Sequence, residues 1–168
     1  MTAPAESPEN PAMPESWNTR VSRWGFNWFP AYRSTGARIE YIAADWREVR
    51  VRLPLTWRTR NYVGTMFGGS MYAALDPIYM IMLIKLLGSE YEVWDKAASI
   101  LFRRPGRRTL RATFRVGPSD LETIRAIVAQ DGKAEHRFTV DLLDAAGEVV
   151  ASCEKLLSIR QRLTHQPA

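Results

Sequence analysis

From Trp46 to Thr56 the chain alternates, with Val49, Val51, Leu53 and Leu55 on one side and Glu48, Arg50 and Arg52 on the other. A period of two predicts a strand with one buried and one wet face. A second strand is expected just before it, near Gly36 to Ala43, and the turn at Ala44-Asp45 joins the two as a hairpin. The pattern then changes. Gly69 to Leu87 is helix-forming and apolar nearly all round, which predicts a buried central helix stopped at Gly88. Pro77 lies inside it and cannot donate to the carbonyl of Ala73, so a kink is expected beside Asp76. Alternation returns in four further strands, Val93 to Arg103, Thr109 to Gly117, Ala134 to Leu143 and Val149 to Arg160, bounded by turn residues such as Pro105-Gly106 and Asp131-Gly132. Pro118 to Gln130 reads as a short helix capped by Ser119 or Asp120.

Near the N-terminus, Trp17, Val21, Trp24 and Trp28 recur at helical spacing between Pro14 and Arg33, and Pro30 should end or kink that helix. Two readings stand. The stripe packs on the domain and covers part of its sheet, or it lies on a membrane surface with Arg20, Arg23 and Arg33 beside it.

This order of elements is an α+β arrangement, an antiparallel sheet with one face covered by a central helix. The other face and the edge strands remain open in a single copy, so self-association is expected. The chain has 168 residues, and Pro, Glu, Ala and Ser dominate its start. The expected division is a disordered tail at 1–13, one domain at 14–162 and a short tail at 163–168. Hydrophobic residues make up 46% of the chain, enough to build a core without disulfides or metals. Cys153 is the single cysteine, and no signal-peptide pattern opens the chain; both fit a cytoplasmic protein. Pro77 to Ile84, the longest apolar run, is too short to span a bilayer, so no transmembrane segment is expected. The net charge of +5 suits a phosphate-bearing partner. The arginines are spaced along alternating strands with no nucleic-acid module, so no nucleic-acid partner is expected.

The candidate chemistry lies in Asn61 to Asp76, which reads N-x2-G-T-x2-G-G-x6-D. Glycines opening a helix leave backbone N–H groups bare to hold a polarised carbonyl oxygen, and a carboxylate follows two turns later. Leu75, Ile78 and Tyr79 suggest an apolar wall around Asp76, which would make it a better proton acceptor near neutral pH. Asn61 serves equally well as a turn residue, and the glycines as backbone accommodation.

Element order and motif together resemble the hotdog fold, a curled antiparallel sheet wrapped around a long central helix, over roughly Trp17 to Arg160. Asn61, Gly64-Thr65, Gly68-Gly69 and Asp76 resemble the acyl-CoA thioesterase branch of that superfamily. Asp76-Pro77 and Asp95-Lys96 are similar to an uncharacterised thioesterase-like subgroup with an Asp-Pro central helix. The resemblance implies catalytic roles for three residues. The Gly68 amide would hold the thioester oxygen, Asp76 would act as general base or nucleophile, and Asn61 would orient the water or the carbonyl. It implies an acyl-CoA or acyl-carrier-protein substrate, no cofactor, and a homodimer or homotetramer whose sites form between subunits. Thr65, Phe67, Gly69 and Asp95 would lie on the substrate side. Asp95 is also expected to pair with a neighbouring Arg or Lys. Many relatives have His where this chain has Phe67, which leaves a non-catalytic acyl or apolar-ligand binder as the alternative.

Arg103, Arg104, Arg107 and Arg108 form the densest basic cluster, either a solvated turn or a site for coenzyme A phosphates. Met66, Phe67, Met71, Tyr72, Met80 and Met82 would line an acyl tunnel or simply fill the core. His136 and His165 lie far along the chain from the glycines, which argues against a dehydratase of the same fold and against a metal site.

Overall fold

The alternating segments form six strands in a computed structural model that describes residues 13–162. The expected terminal tails lie almost wholly outside the described residues. The strands are β1 (Arg38–Ile42), β2 (Glu48–Leu53), β3 (Tyr91–Phe102), β4 (Leu110–Arg115), β5 (Lys133–Leu143) and β6 (Val149–Gln161). They make one antiparallel sheet in the order β1-β2-β4-β5-β6-β3. Strict alternation in β4 puts Leu110, Ala112 and Phe114 inside and Arg111, Thr113 and Arg115 outside. β4 and β5 pair only at Arg111 and Leu143, whereas β5, β6 and β3 are paired over most of their length. The sheet can therefore splay at β4–β5 and curl around what it encloses.

It encloses the central helix, which runs as α3 (Gly68–Leu75) and α4 (Ile78–Leu87). Met71, Ala74, Leu75, Ile78, Tyr79, Met82, Leu83 and Leu87 are buried in the same core as Val51, Phe114, Val140 and Leu157. Each of the larger aliphatic side chains contributes about 1.5–3 kcal/mol of burial. The break falls at Asp76-Pro77, where the proline supplies no N–H. Asp76 N still donates to Tyr72 O at 3.1 Å and Ile81 N to Pro77 O at 3.1 Å, so the helix resumes at once. Gly88, at a φ of 97°, ends it. Taken together, Gly68–Leu87 is long and apolar enough to cross a bilayer by length and composition alone. Here that composition follows from being wrapped by the sheet. The architecture is the α+β hotdog arrangement.

The N-terminal helix ends at Pro30 as expected: α1 (Trp17–Trp28) stops before it and α2 (Pro30–Ser34) opens on it. Two expectations change. The stripe of α1 does not pack on the domain: Trp17, Val21, Trp24 and Trp28 are all exposed. Its other side docks instead, because the amide of Asn27 both donates to Ile39 O (2.9 Å) and accepts from Ile39 N (2.8 Å), as a neighbouring strand would. Glu15 accepts from Ile42 N on the same edge and holds Arg23. Polar pairing with the free edge of β1 thus outweighs the burial the tryptophans would gain. In the last helix, α5 (Pro118–Asp131), the cap is Gly117 rather than Ser119 or Asp120; Asp120 accepts from Gly117 N at 2.7 Å.

The two sheet edges differ. β1 is covered by α1, while the twelve-residue β3 pairs only with β6 and leaves Ala97, Ala98, Ser99, Leu101 and Phe102 exposed.

Candidate functional site

Asp76 caps α3 at the proline break, and its side chain is 46% exposed. The sequence suggested an apolar wall around it. Leu75, Ile78 and Tyr79 turn into the core instead, and what faces Asp76 is a lysine. Lys155, on β6, is fully buried, and its Nζ donates to Asp76 O (2.9 Å) and to Asp76 Oδ1 (3.0 Å). Asp95 Oδ2, on the adjacent β3, lies 3.2 Å from the same nitrogen, so the expected partner of Asp95 is Lys155. The ring of Tyr72 covers the ammonium at 5.4 Å.

The electrostatics follow from that crowding. Burial alone would push the Lys155 pKa down; the hydrogen bond to Asp76 and the charges of Asp95 and Asp76 outweigh it and hold the group above the usual lysine value. Burial pushes the Asp95 carboxyl above the usual range, and Lys155 offsets only part of the rise. Burial also raises Tyr72, helped by the nearby Asp76 carboxylate. Lys155 therefore stays an ammonium, and Asp95 is the carboxylate held at a cost. Asp95 Oδ1 is buried with no hydrogen-bond partner among the described residues, an acceptor left over beside Asp76.

The glycines open α3 after Phe67, which offers no side-chain cap to the first-turn N–H groups. Neither Gly68 nor Gly69 has a positive φ. Close approach is what excludes a side chain: a Cβ on Gly68 would lie 2.9 Å from the Phe102 ring, and one on Gly69 would lie 2.4 Å from the Phe67 ring. Two aromatic rings thus flank the bare amides. Asn61 is occupied nearby, its Oδ1 accepting from Val63 N (3.1 Å) and Thr65 N (3.0 Å) and its Nδ2 donating to Thr65 Oγ1 (2.9 Å). It shapes the loop that leads to the helix.

Gly68 and Asp76 are eight residues apart on α3, and at about 1.5 Å of rise per residue that is roughly 12 Å. One carbonyl group cannot meet both from a single copy. Arg103 donates to Ser152 Oγ at 3.0 Å, and Arg104 pairs with Glu148 at 2.7 Å. Arg107 and Arg108 make no ion pair among the described residues. Met66, Met71 and Met82 are core residues, while Phe67 is exposed. A cavity of about 10 Å³, lined by Phe26, Ile39, Trp46, Met82 and others, lies away from the glycines and has room for about one water. His136 bonds Asp120 at 3.1 Å, and His165 lies outside the described residues. Among the described residues no three His, Cys, Asp or Glu side chains are grouped to hold a metal ion.

Sequence reasoning missed Lys155. Its signal was present: in Ala151, Cys153, Lys155, Leu157 and Ile159 it takes an inward place in a period-two run.

A family model described as a domain of unknown function (DUF4442) matches residues 18–159. No curated protein matches the chain significantly. Among solved structures, a Pseudomonas aeruginosa protein of unknown function, described as a probable thioesterase, is 24% identical with a TM-score of 0.78 and covers 90% of this chain and 99% of its own. A protein of unknown function from Chlorobaculum tepidum is 16% identical at a TM-score of 0.70, covering 91% of this chain and all of its own (100%). A thioesterase from Haemophilus influenzae is 14% identical at 0.66, covering 93% and 99%. At these identities the likeness shows the fold.

Proposed function

The chain belongs to the family described as a domain of unknown function (DUF4442), and because that description assigns no activity we propose, from the site itself, a homo-oligomeric thioesterase acting on an acyl-CoA or acyl-carrier-protein thioester. The observation that carries this reading is Asp76, a half-exposed carboxylate at a helix break, held by a buried ammonium and bordering the open β3 edge. The hotdog neighbours described as thioesterases support it.

In this reading Asp76 accepts a proton from a water as that water's oxygen attacks the thioester carbon. The carbonyl oxygen gains charge and is met by the Gly68 N–H, a donor whose loss typically costs about 10²–10³ in rate. The carbon–sulfur bond then breaks, and the thiolate takes up a proton. Lys155 is a positioning residue that fixes the Asp76 carboxylate against the helix end. Asn61 acts through the loop it ties, with Thr65. Phe67, Gly69 and Asp95 border the acyl group and the water, and Arg103 and Arg104 face the phosphates of coenzyme A. Because Gly68 and Asp76 are about 12 Å apart along one helix, each complete site takes Gly68 from one copy and Asp76 from another, brought together by β3.

Purified protein should release free thiol from at least one member of an acyl-CoA chain-length panel, and Asp76→Asn should abolish that release while the protein stays folded, with a lower melting temperature because the buried Lys155 loses an ionic partner. An inert wild type, or a variant with full rate, ends the assignment. A second reading is favoured by the Phe67 and Phe102 rings that crowd the glycines: the same site holds an acyl ligand without turnover. Intact ligand recovered by extraction and mass spectrometry, with no thiol released, would select it.

A further inference from the structure

Helix α1 is amphipathic the wrong way round for a core helix. Asn27 bonds its polar side to the β1 edge, Thr19 is buried, its hydroxyl closing the cap with Ser16, and Phe26 packs on the core, while Trp17, Val21, Trp24 and Trp28 stand outward at positions four, three and four residues apart. Trp17 is 76% exposed and Trp24 is 64% exposed, and the rings of Trp24 and Trp28 lie 5.8 Å apart as one surface. Phe29, also exposed, extends it.

The charge carried by α1 and α2 is of one sign. Arg20 is exposed on its flank and comes no closer than 3.9 Å to Glu15, which is itself largely buried. Arg33 stacks over Trp28 at 4.9 Å. A second such pair, Arg58 over Trp57 at 4.8 Å, hangs beside the end of α2, where Thr59 packs against Gly36. Neither Arg33 nor Arg58 has a carboxylate partner among the described residues. Tryptophan rings with an apolar body and a polar N–H, bordered by unneutralised arginines, match the headgroup boundary of an anionic bilayer. A second copy laid symmetrically on this face would set arginine against arginine, since α1, α2 and the Trp57–Arg58 turn carry no acid.

We propose that the outward face of α1, with Arg33 and the Trp57–Arg58 turn, docks the protein on an anionic lipid surface. The catalytic reading plays no part in this. The full chain is mixed with vesicles of phosphatidylcholine alone and with vesicles that also contain phosphatidylserine, and binding is followed by co-sedimentation and tryptophan emission. The full chain should bind the phosphatidylserine vesicles, with blue-shifted emission, and be released by salt. Trp17→Ser/Trp24→Ser/Trp28→Ser should abolish binding, and Arg20→Glu/Arg33→Glu should weaken it on the order of tenfold or more. No binding by the full chain, or equal binding by the variants, would overturn the proposal. So would a triple variant that separates an oligomer in analytical ultracentrifugation, because the face would then lie between copies.

Discussion

The central helix and α1 are both rich in apolar residues, and the fold uses them in opposite ways. Between Gly68 and Leu87 the apolar positions go in and the one acid, Asp76, stays at the break, where Lys155 meets it. In α1 the polar positions go in and the tryptophans go out. What separates them is the surface each meets. The concave side of a sheet has its main chain already paired and offers only side chains, so apolar contact wins. The edge of β1 offers unpaired N–H and C=O groups, and an amide side chain that satisfies both is worth more there than another buried ring.

That contrast can be broken by substitution. Leu83→Ala, at a fully buried position of α4, should cost about 4 kcal/mol in chemical denaturation; a loss under about 1 kcal/mol would mean the helix is not packed as described. Lys155→Met leaves Asp76 and Asp95 facing each other without a cation and should cost about 3 kcal/mol. Adding Asp95→Asn to it should recover part of the loss, and an unchanged double variant would argue against the shared pairing. A smaller effect concerns pH. Asp95 has a folded pKa above its unfolded value, so its contribution is fully present below the ordinary aspartate range and is lost as pH rises through the folded value. Urea midpoints of the wild type should therefore fall relative to Asp95→Asn as pH rises from below the ordinary aspartate range to neutral, and parallel curves would refute the burial of that carboxyl. At the small end, Trp24→Ser should change stability by no more than about 0.5 kcal/mol, since the ring buries little. A large loss there would show that something covers α1.

Much of this was legible in the chain. Period-two runs located all six strands, and Pro77 and Gly88 marked the break and the end of the helix, because these signals act within a few residues. The direction in which α1 faces was not legible. Spacing places Trp17, Val21, Trp24 and Trp28 together, but only the long-range bonds of Asn27 and Glu15 to β1 decide which way they point. The environment of Asp76 was misread for the same reason: Leu75, Ile78 and Tyr79 are its neighbours in sequence, while Lys155 reaches it from β6, 79 positions on. Of the candidate residues, the loop of Asn61 and Thr65 was half visible, since Asn favours turns, and the aromatic crowding of Gly68 and Gly69 depends on Phe102 from another strand.

The central claim is that Asp76 of one copy works with the Gly68 amide of another. Asp76→Asn removes the carboxylate, while Gly68→Val keeps the N–H but covers it with a side chain at the cost of displacing the exposed Phe102 ring. These chains, each inactive alone, should recover thiol release from a responsive acyl-CoA when unfolded and refolded together, because some mixed oligomers then contain one intact pair. A mixture that assembles into mixed oligomers yet stays inactive would contradict the shared site.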